Sequence, residues 1–136
     1  MDCLFCNIGK KQIPAEIVYE NDHAFAILDI NPVSPGHTMV ISKTHAKDLP
    51  ELPKEEIGPL FEGVKVVLGK IQSALKPDGF TIGINQGSVS GQVVEHLHIH
   101  LIPRFFGDKG QSVHFVVKNP PQESLSDIAK KIREAI

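Results

Sequence analysis

The chain has 136 residues, 41% of them apolar and 22% charged, with a net charge of −2 when histidine is neutral. That composition excludes a disordered chain, and the faint acidity excludes the basic footprint a nucleic-acid polymer needs; a single nucleotide needs none and stays open as a ligand. The length suits one domain, residues 1–136, able to bury about two-thirds of its unfolded surface.

Residues 1–11, "MDCLFCNIGKK", lack the basic start and apolar stretch of a secretory signal. No run approaches the ~20 apolar residues of a bilayer span, so a cytoplasmic protein without membrane association is expected. "EIVYEND" (16–22) and "HAFAILDI" (23–30) are rich in β-branched and aromatic residues and read as a hairpin. "NPVSPG" (31–36) is a loop, and "HTMVIS" (37–42) is the next strand. Residues 54–75 read as one helix, with Ile57, Leu60, Phe61, Val64, Val67, Leu68, Ile71 and Leu75 on one apolar face. "KPDG" (76–79) stops it. Two strands follow, "FTIGINQG" (80–87) and "HLHIHLIP" (96–103), joined through "SVSG". The pattern weakens from Phe106 to Gln122, and a last helix runs from about Ser124 to Ile136. The order predicts an α+β fold: an antiparallel sheet of about five strands, a long helix packed on it, a C-terminal helix, and helices on one face. Its core spans about 3–104, with a C-terminal extension over about 105–136.

"HLHIH" places His96, His98 and His100 on one side of a strand and Leu97, Ile99 and Leu101 on the other. Three readings compete: a solvated face, a catalytic metal site, and covalent catalysis. A metal site of this kind draws its ligands from more than one strand. In covalent catalysis a neutral imidazole attacks phosphorus while its neighbours neutralise the phosphoryl oxygens. Cys3 and Cys6 form a Cys-x-x-Cys pair. It lacks the surroundings of a thioredoxin-like redox motif, and a closed zinc site needs two further ligands. Structural zinc, free buried thiols and redox chemistry stay open on these residues alone.

"HLHIHLI" resembles the histidine-triad signature, and the resemblance extends over "KQIPAEIVYENDHAFAILDINPVSPGHTMVI" and "GINQGSVSGQVVEHLHIHLIPR", most of residues 3–104. It implies a nucleotide hydrolase acting at the α-phosphorus of a nucleoside phosphoramidate or related adenylated compound. A diadenosine-polyphosphate hydrolase or a nucleotide-binding scaffold are the alternatives. It implies His98 as nucleophile, with its tautomer held by the backbone carbonyl of His96, and His100 and His37 near the phosphate. Asp29 would contact the ribose. Asn85, Gly91 and Gln92 would lie on the phosphate side, and Phe5, Ile8, Ile27 and Ile30 would wall a purine base. Bacterial-type members with the N-terminal cysteine pair imply a structural zinc on Cys3, Cys6, His45 and His96. No organic cofactor is implied, and a two-fold homodimer is. Val93 stands where some relatives carry Ser or Thr, which removes a hydroxyl contact to phosphate.

Overall fold

The hairpin read at residues 16–30 is present as β1 (Ile17–Glu20) and β2 (Ala24–Leu28) in a computed structural model that describes residues 2–136. Asn21 makes its turn: Oδ1 accepts from the backbone N–H groups of His23 at 2.7 Å and Ala24 at 2.8 Å. This is the local mimicry of backbone for which Asn is favoured in turns. β3 (Thr38–Ser42), β4 (Gly79–Gly83) and β5 (His98–Arg104) complete a five-stranded sheet in the order β1-β2-β3-β5-β4. Every pairing is antiparallel. β5 is therefore an inner strand. His98 lies opposite Ile41 and His100 opposite Met39 on β3, while Gly83 of β4 flanks His100 from the other side.

Both of these later strands are shorter at one end than the sequence pattern indicates. β4 stops at Gly83, so Asn85 lies in the following loop, and β5 begins at His98, so His96 and Leu97 precede it. The Leu97 N–H is bonded to Ala46 O at 2.8 Å, outside the β3 ladder.

Helix α2 (Lys54–Leu75) matches the expected span. Glu55 and Glu56 sit in its first turn, where they complement the helix dipole. Lys76 ends it in the left-handed region at φ 52°, and Pro77 follows. Its buried residues Leu60, Val64, Val67 and Ile71 pack on Ala24, Ala26, Val40, Leu97, Ile99 and Leu101. Ile57, Phe61 and Leu75, expected on the same core face, are exposed.

The opposite face of the sheet carries a second apolar layer, and here the expectation of helices on one face is corrected. A short helix, α1 (Leu4–Gly9), covers it, placing Cys3, Phe5 and Ile8 against Phe25, Ile27, Met39 and Ile41. Six residues are too few to show a helical period, and the helix is held by its burial rather than by propensity. Cys3 caps it, its Sγ accepting from the Cys6 N–H at 3.4 Å. Helix α3 (Leu125–Glu134) is present as expected, capped by the Ser124 hydroxyl, and buries none of its residues. Among the described residues no helix is long and apolar enough to cross a membrane.

Candidate functional site

The histidine run lies on the α1 side of the sheet, and each of its three imidazoles has a different set of partners. His96 is fully buried. Its Nε2–H donates to the Ser42 carbonyl at 2.7 Å, which leaves Nδ1 with a lone pair. That lone pair faces Cys3 Sγ at 3.3 Å, Cys6 Sγ at 3.5 Å and His45 Nδ1 at 3.2 Å. Cys6 Sγ also lies 3.3 Å from His45 Nδ1. All four ligand atoms fall within 4.8 Å of one another. Tetrahedral zinc with Zn–S near 2.3 Å and Zn–N near 2.0–2.1 Å separates its ligand atoms by about 3.3–3.8 Å, so the donor set, its spacing and the tautomer of His96 all fit that ion. Burial, then the hydrogen bond and charge of Cys3, push the Cys6 thiol up. A dication between the sulfurs is what makes two adjacent thiolates tolerable.

His98 is next along the run. Its Nδ1–H donates to the His96 carbonyl at 2.7 Å. The remaining Nε2 therefore carries the lone pair and has no partner among the described residues. Among the described residues no buried side-chain nitrogen or oxygen lacks a partner, so this nitrogen is open to solvent. The edge of Phe5 packs against the imidazole with ring centroids 5.0 Å apart and planes at 77°, which limits rotation of the ring.

His100 belongs to a third constellation with His37 and Asp29. The Val33 N–H donates to His37 Nδ1 at 3.2 Å, so the His37 proton is on Nε2. That N–H donates to His100 Nδ1 at 2.9 Å, with Asp29 Oδ2 3.4 Å away as a second acceptor. His100 in turn keeps its own proton on Nε2. The three ligand-type atoms could be taken for a metal site, but a metal on His37 Nε2 requires Nδ1 to carry the proton, directly against the Val33 N–H. The constellation is a chain of hydrogen bonds that runs from the Val33 N–H through His37 to His100. Asp29 Oδ1 accepts from the Asn31 N–H at 2.9 Å. Burial, followed by the neighbouring His98 and His37, pushes His100 down to about 4. Burial also lowers His37, and Asp29 partly offsets it. At neutral pH both rings are uncharged hydrogen-bond donors.

The "NPVSPGH" loop presents His37 at an open cleft of about 460 Å³ lined by Leu28, Asp29 and residues 32–37. That volume suits a small-molecule ligand. Ser34 ties the loop to β5 by donating to the Pro103 carbonyl at 2.7 Å. Gly36 sits at φ +85°, and a Cβ there would collide with Leu75, so the turn accepts only glycine without rearrangement.

Some expected residues sit elsewhere. Phe5, Ile8 and Ile27 are buried in the second apolar layer, whereas Ile30 is 90% exposed. Asn85 lies beside Gly91, which has a φ of +104° and where an added Cβ would meet the Asn85 amide at 3.6 Å. The Gln92 amide is occupied by backbone: its Oε1 accepts from Gly87 N–H at 2.9 Å, and its Nε2 donates to the carbonyls of Lys47 at 2.8 Å and Val94 at 3.1 Å. In this arrangement it braces the loop ahead of the histidines and has no free amide for a phosphate. The Ser42 carbonyl was not anticipated; a backbone acceptor leaves no mark on residue type.

The HIT domain model matches residues 10–107, and the chain belongs to this family. It is similar to an uncharacterized HIT-like protein of Methanocaldococcus jannaschii, 42% identical over 132 residues, with 96% of this chain and 98% of that protein covered. It is also similar to the adenosine 5′-monophosphoramidase of Schizosaccharomyces pombe, 38% identical over 136 residues, with 100% of this chain and 99% of that protein covered. A solved structure of a Zn-bound histidine triad family protein from Mycobacterium smegmatis matches with a TM-score of 0.75 at 39% identity, over 80% of this chain and 79% of that one.

Neutral burial of His100 has a consequence for stability. Its folded pKa is about 4, below the ordinary 6.5. Between these values the unfolded chain binds more protons than the folded one, so stability is full above pH 6.5 and falls as the pH drops toward 4. The loss from this one group is ~3 kcal/mol. Urea titrations of the wild type and of His100→Asn at pH 7 and 4.5 should show a smaller acid loss in the variant; equal losses would place the acid sensitivity elsewhere.

Proposed function

We propose that the chain is a nucleotide hydrolase acting at the α-phosphorus of a nucleoside phosphoramidate or related adenylated compound, through a covalent nucleotidyl intermediate on His98. The observation that carries this reading is the 2.7 Å hydrogen bond from His98 Nδ1–H to the His96 carbonyl, which directs the only free lone pair of the ring outward as Nε2. A nucleophilic imidazole needs one nitrogen unprotonated and the other held.

His98 Nε2 forms a bond to phosphorus as the bond from phosphorus to the leaving group breaks. The departing group takes up a proton from solvent as it leaves, while the His100 Nε2–H, with its Nδ1 held by His37, donates to a phosphoryl oxygen. Water then attacks phosphorus, the P–Nε2 bond breaks, and a nucleoside 5′-monophosphate leaves with neutral imidazole restored. Asp29 contacts the ribose hydroxyls, and exposed Ile30 gains cover from the base. Cys3, Cys6, His45 and His96 hold a structural zinc that takes no part in the reaction. Its contribution is to brace His96, whose carbonyl sets the His98 tautomer. The S. pombe relative's activity and the zinc in the M. smegmatis relative support these two parts of the reading.

Steady-state assays with adenosine 5′-phosphoramidate and with diadenosine tetraphosphate test the substrate class. The expected result is a kcat/KM at least ~10-fold higher for the phosphoramidate, a difference of about 1.4 kcal/mol in transition-state binding. The reverse preference would assign the chain to polyphosphate hydrolysis with the same nucleophile, and turnover of neither would leave a nucleotide-binding protein.

A further inference from the structure

The cluster of Cys3, Cys6, His45 and His96 is sheltered on one side and open on the other. Cys3 and His96 are buried, while Cys6 is half-buried and His45 is exposed. Cys6 also lines a cleft of about 170 Å³ with Phe5, Gly9, Lys10, Phe25 and Lys43. Lys43 is tied to Glu20 at 2.8 Å, and the exposed Lys10 is the second cation of the cleft. The chemistry proposed at His98 uses neither the cleft nor its lysines. A cysteine sulfur that is partly exposed and beside cations is the kind that reacts with solutes.

A second sulfur stands behind the first. Cys3 Sγ lies within 4.8 Å of Cys6 Sγ and accepts from the Cys6 N–H at 3.4 Å. Cys3 is the N-cap of α1, with extended backbone at φ −109° and ψ 119°, so its side chain can turn toward Cys6 without unwinding the helix. Side-chain rotation brings two sulfurs at that separation to the ~2.05 Å of a disulfide. An accessible sulfur poised next to a sheltered resolving one is the arrangement of a thiol that senses oxidants.

We propose that Cys6 is a modification site for hydroperoxides, entered through the Lys10 cleft, and that its oxidation to a disulfide with Cys3 empties the metal site and removes the tie on the His96 ring. The proposal rests on the zinc reading given above and not on the role of His98. With hydrogen peroxide the Cys6 thiolate attacks one oxygen. An S–O bond forms, the O–O bond breaks, and hydroxide leaves. The Cys3 thiolate then attacks the Cys6 sulfur of the sulfenic acid. The S–S bond forms, the S–O bond breaks, and a second hydroxide leaves. Both hydroxides take protons from solvent. The two sulfurs together lose two electrons, and one peroxide becomes two waters.

A disulfide offers a dication no thiolate, so His45 and His96 alone remain, too few for tetrahedral zinc. The His96 ring keeps its hydrogen bond to the Ser42 carbonyl at 2.7 Å, so oxidation loosens the N-terminal tie and leaves the sheet paired. A thiol reductant reverses the disulfide and restores all four ligands.

The full chain, its zinc content measured first by elemental analysis, is treated with hydrogen peroxide and read by a chromophoric zinc chelator, by peptide mass and by melting. Zinc should be released in step with a loss of about 2 Da on the peptide of residues 1–10, which holds both cysteines. The oxidised chain should melt with the chelated one, and dithiothreitol with added zinc should restore both mass and Tm. Lys10→Gln changes an exposed side chain and should release zinc at least ~3-fold more slowly. Zinc retained after oxidation, both sulfurs left reduced, a sulfinic Cys6 beside an unmodified Cys3, or equal release rates in the two chains would each overturn the proposal. A chain isolated without zinc would overturn the zinc reading and this proposal with it, whereas a zinc-loaded chain that resists peroxide would overturn this proposal alone.

Discussion

Replacing His98 with alanine lowers turnover of adenosine 5′-phosphoramidate by at least ~10³-fold while nucleotide affinity stays within about tenfold. The size follows from the role: a residue that makes and breaks a covalent bond in every cycle has no substitute, and the residual rate comes from binding and positioning alone. Affinity survives because the groups proposed to face the substrate belong to other elements. Asp29 and His37 lie on the loop between β2 and β3, and their mutual contacts do not pass through His98. Isothermal titration with AMP and single-turnover kinetics on the same preparation separate the two effects. A variant retaining more than a few per cent of wild-type kcat would remove His98 as nucleophile. A collapse of both binding and the melting transition would instead show a packing role against Phe5.

Removing the metal is the second large effect. Ligand sets of this type bind zinc with ~10–16 kcal/mol of apparent free energy coupled to folding in small peptides at neutral pH. This chain keeps an independent core under α2, so only part of that energy appears as stability; a fall in Tm of ~10 °C or more is expected with a strong chelator. Elemental analysis should give one zinc per chain, and Cys3→Ala should melt at the same low temperature with or without chelator. Absence of zinc together with an unchanged Tm would leave Cys3 and Cys6 as free thiols. In the proposed reading the ion has a specific task. The His96 ring reaches the cysteine cluster while its carbonyl, on the same residue, holds the His98 proton. A tie at the ring thus steadies the nucleophile without touching substrate.

Helix α2 was legible because twenty-two residues carry five full turns of apolar periodicity and a terminal Lys-Pro. The hairpin was legible through its turn residues. What escaped was short or backbone-borne. Helix α1 is a single turn and a half whose Cys-x-x-Cys reads as ligands before it reads as a cap, and without it the α1 face of the sheet has no cover. The strand ends at Gly83 and His98 depend on hydrogen-bond partners, and side-chain alternation continues past both. Resemblance supplied the members of both histidine constellations but not the directions of their protons. Those follow from the Ser42 and His96 carbonyls and the Val33 N–H, groups that every residue type carries. Gln92 shows the opposite limit: residue type marks it as a ligand for phosphate, and the fold occupies its amide with Gly87, Lys47 and Val94. Periodicity likewise identified α3 as a helix, and the fold leaves all of its residues unburied.

The central claim is a covalent bond between His98 and phosphorus. A single-turnover reaction with adenosine 5′-phosphoramidate, stopped in denaturant at high pH and mapped by mass spectrometry, tests it directly. The account predicts an adenylyl group on the peptide containing His98, appearing before AMP and decaying as AMP forms. AMP released with no adduct on that peptide, or an adduct carried by His37 or His100 instead, would contradict it.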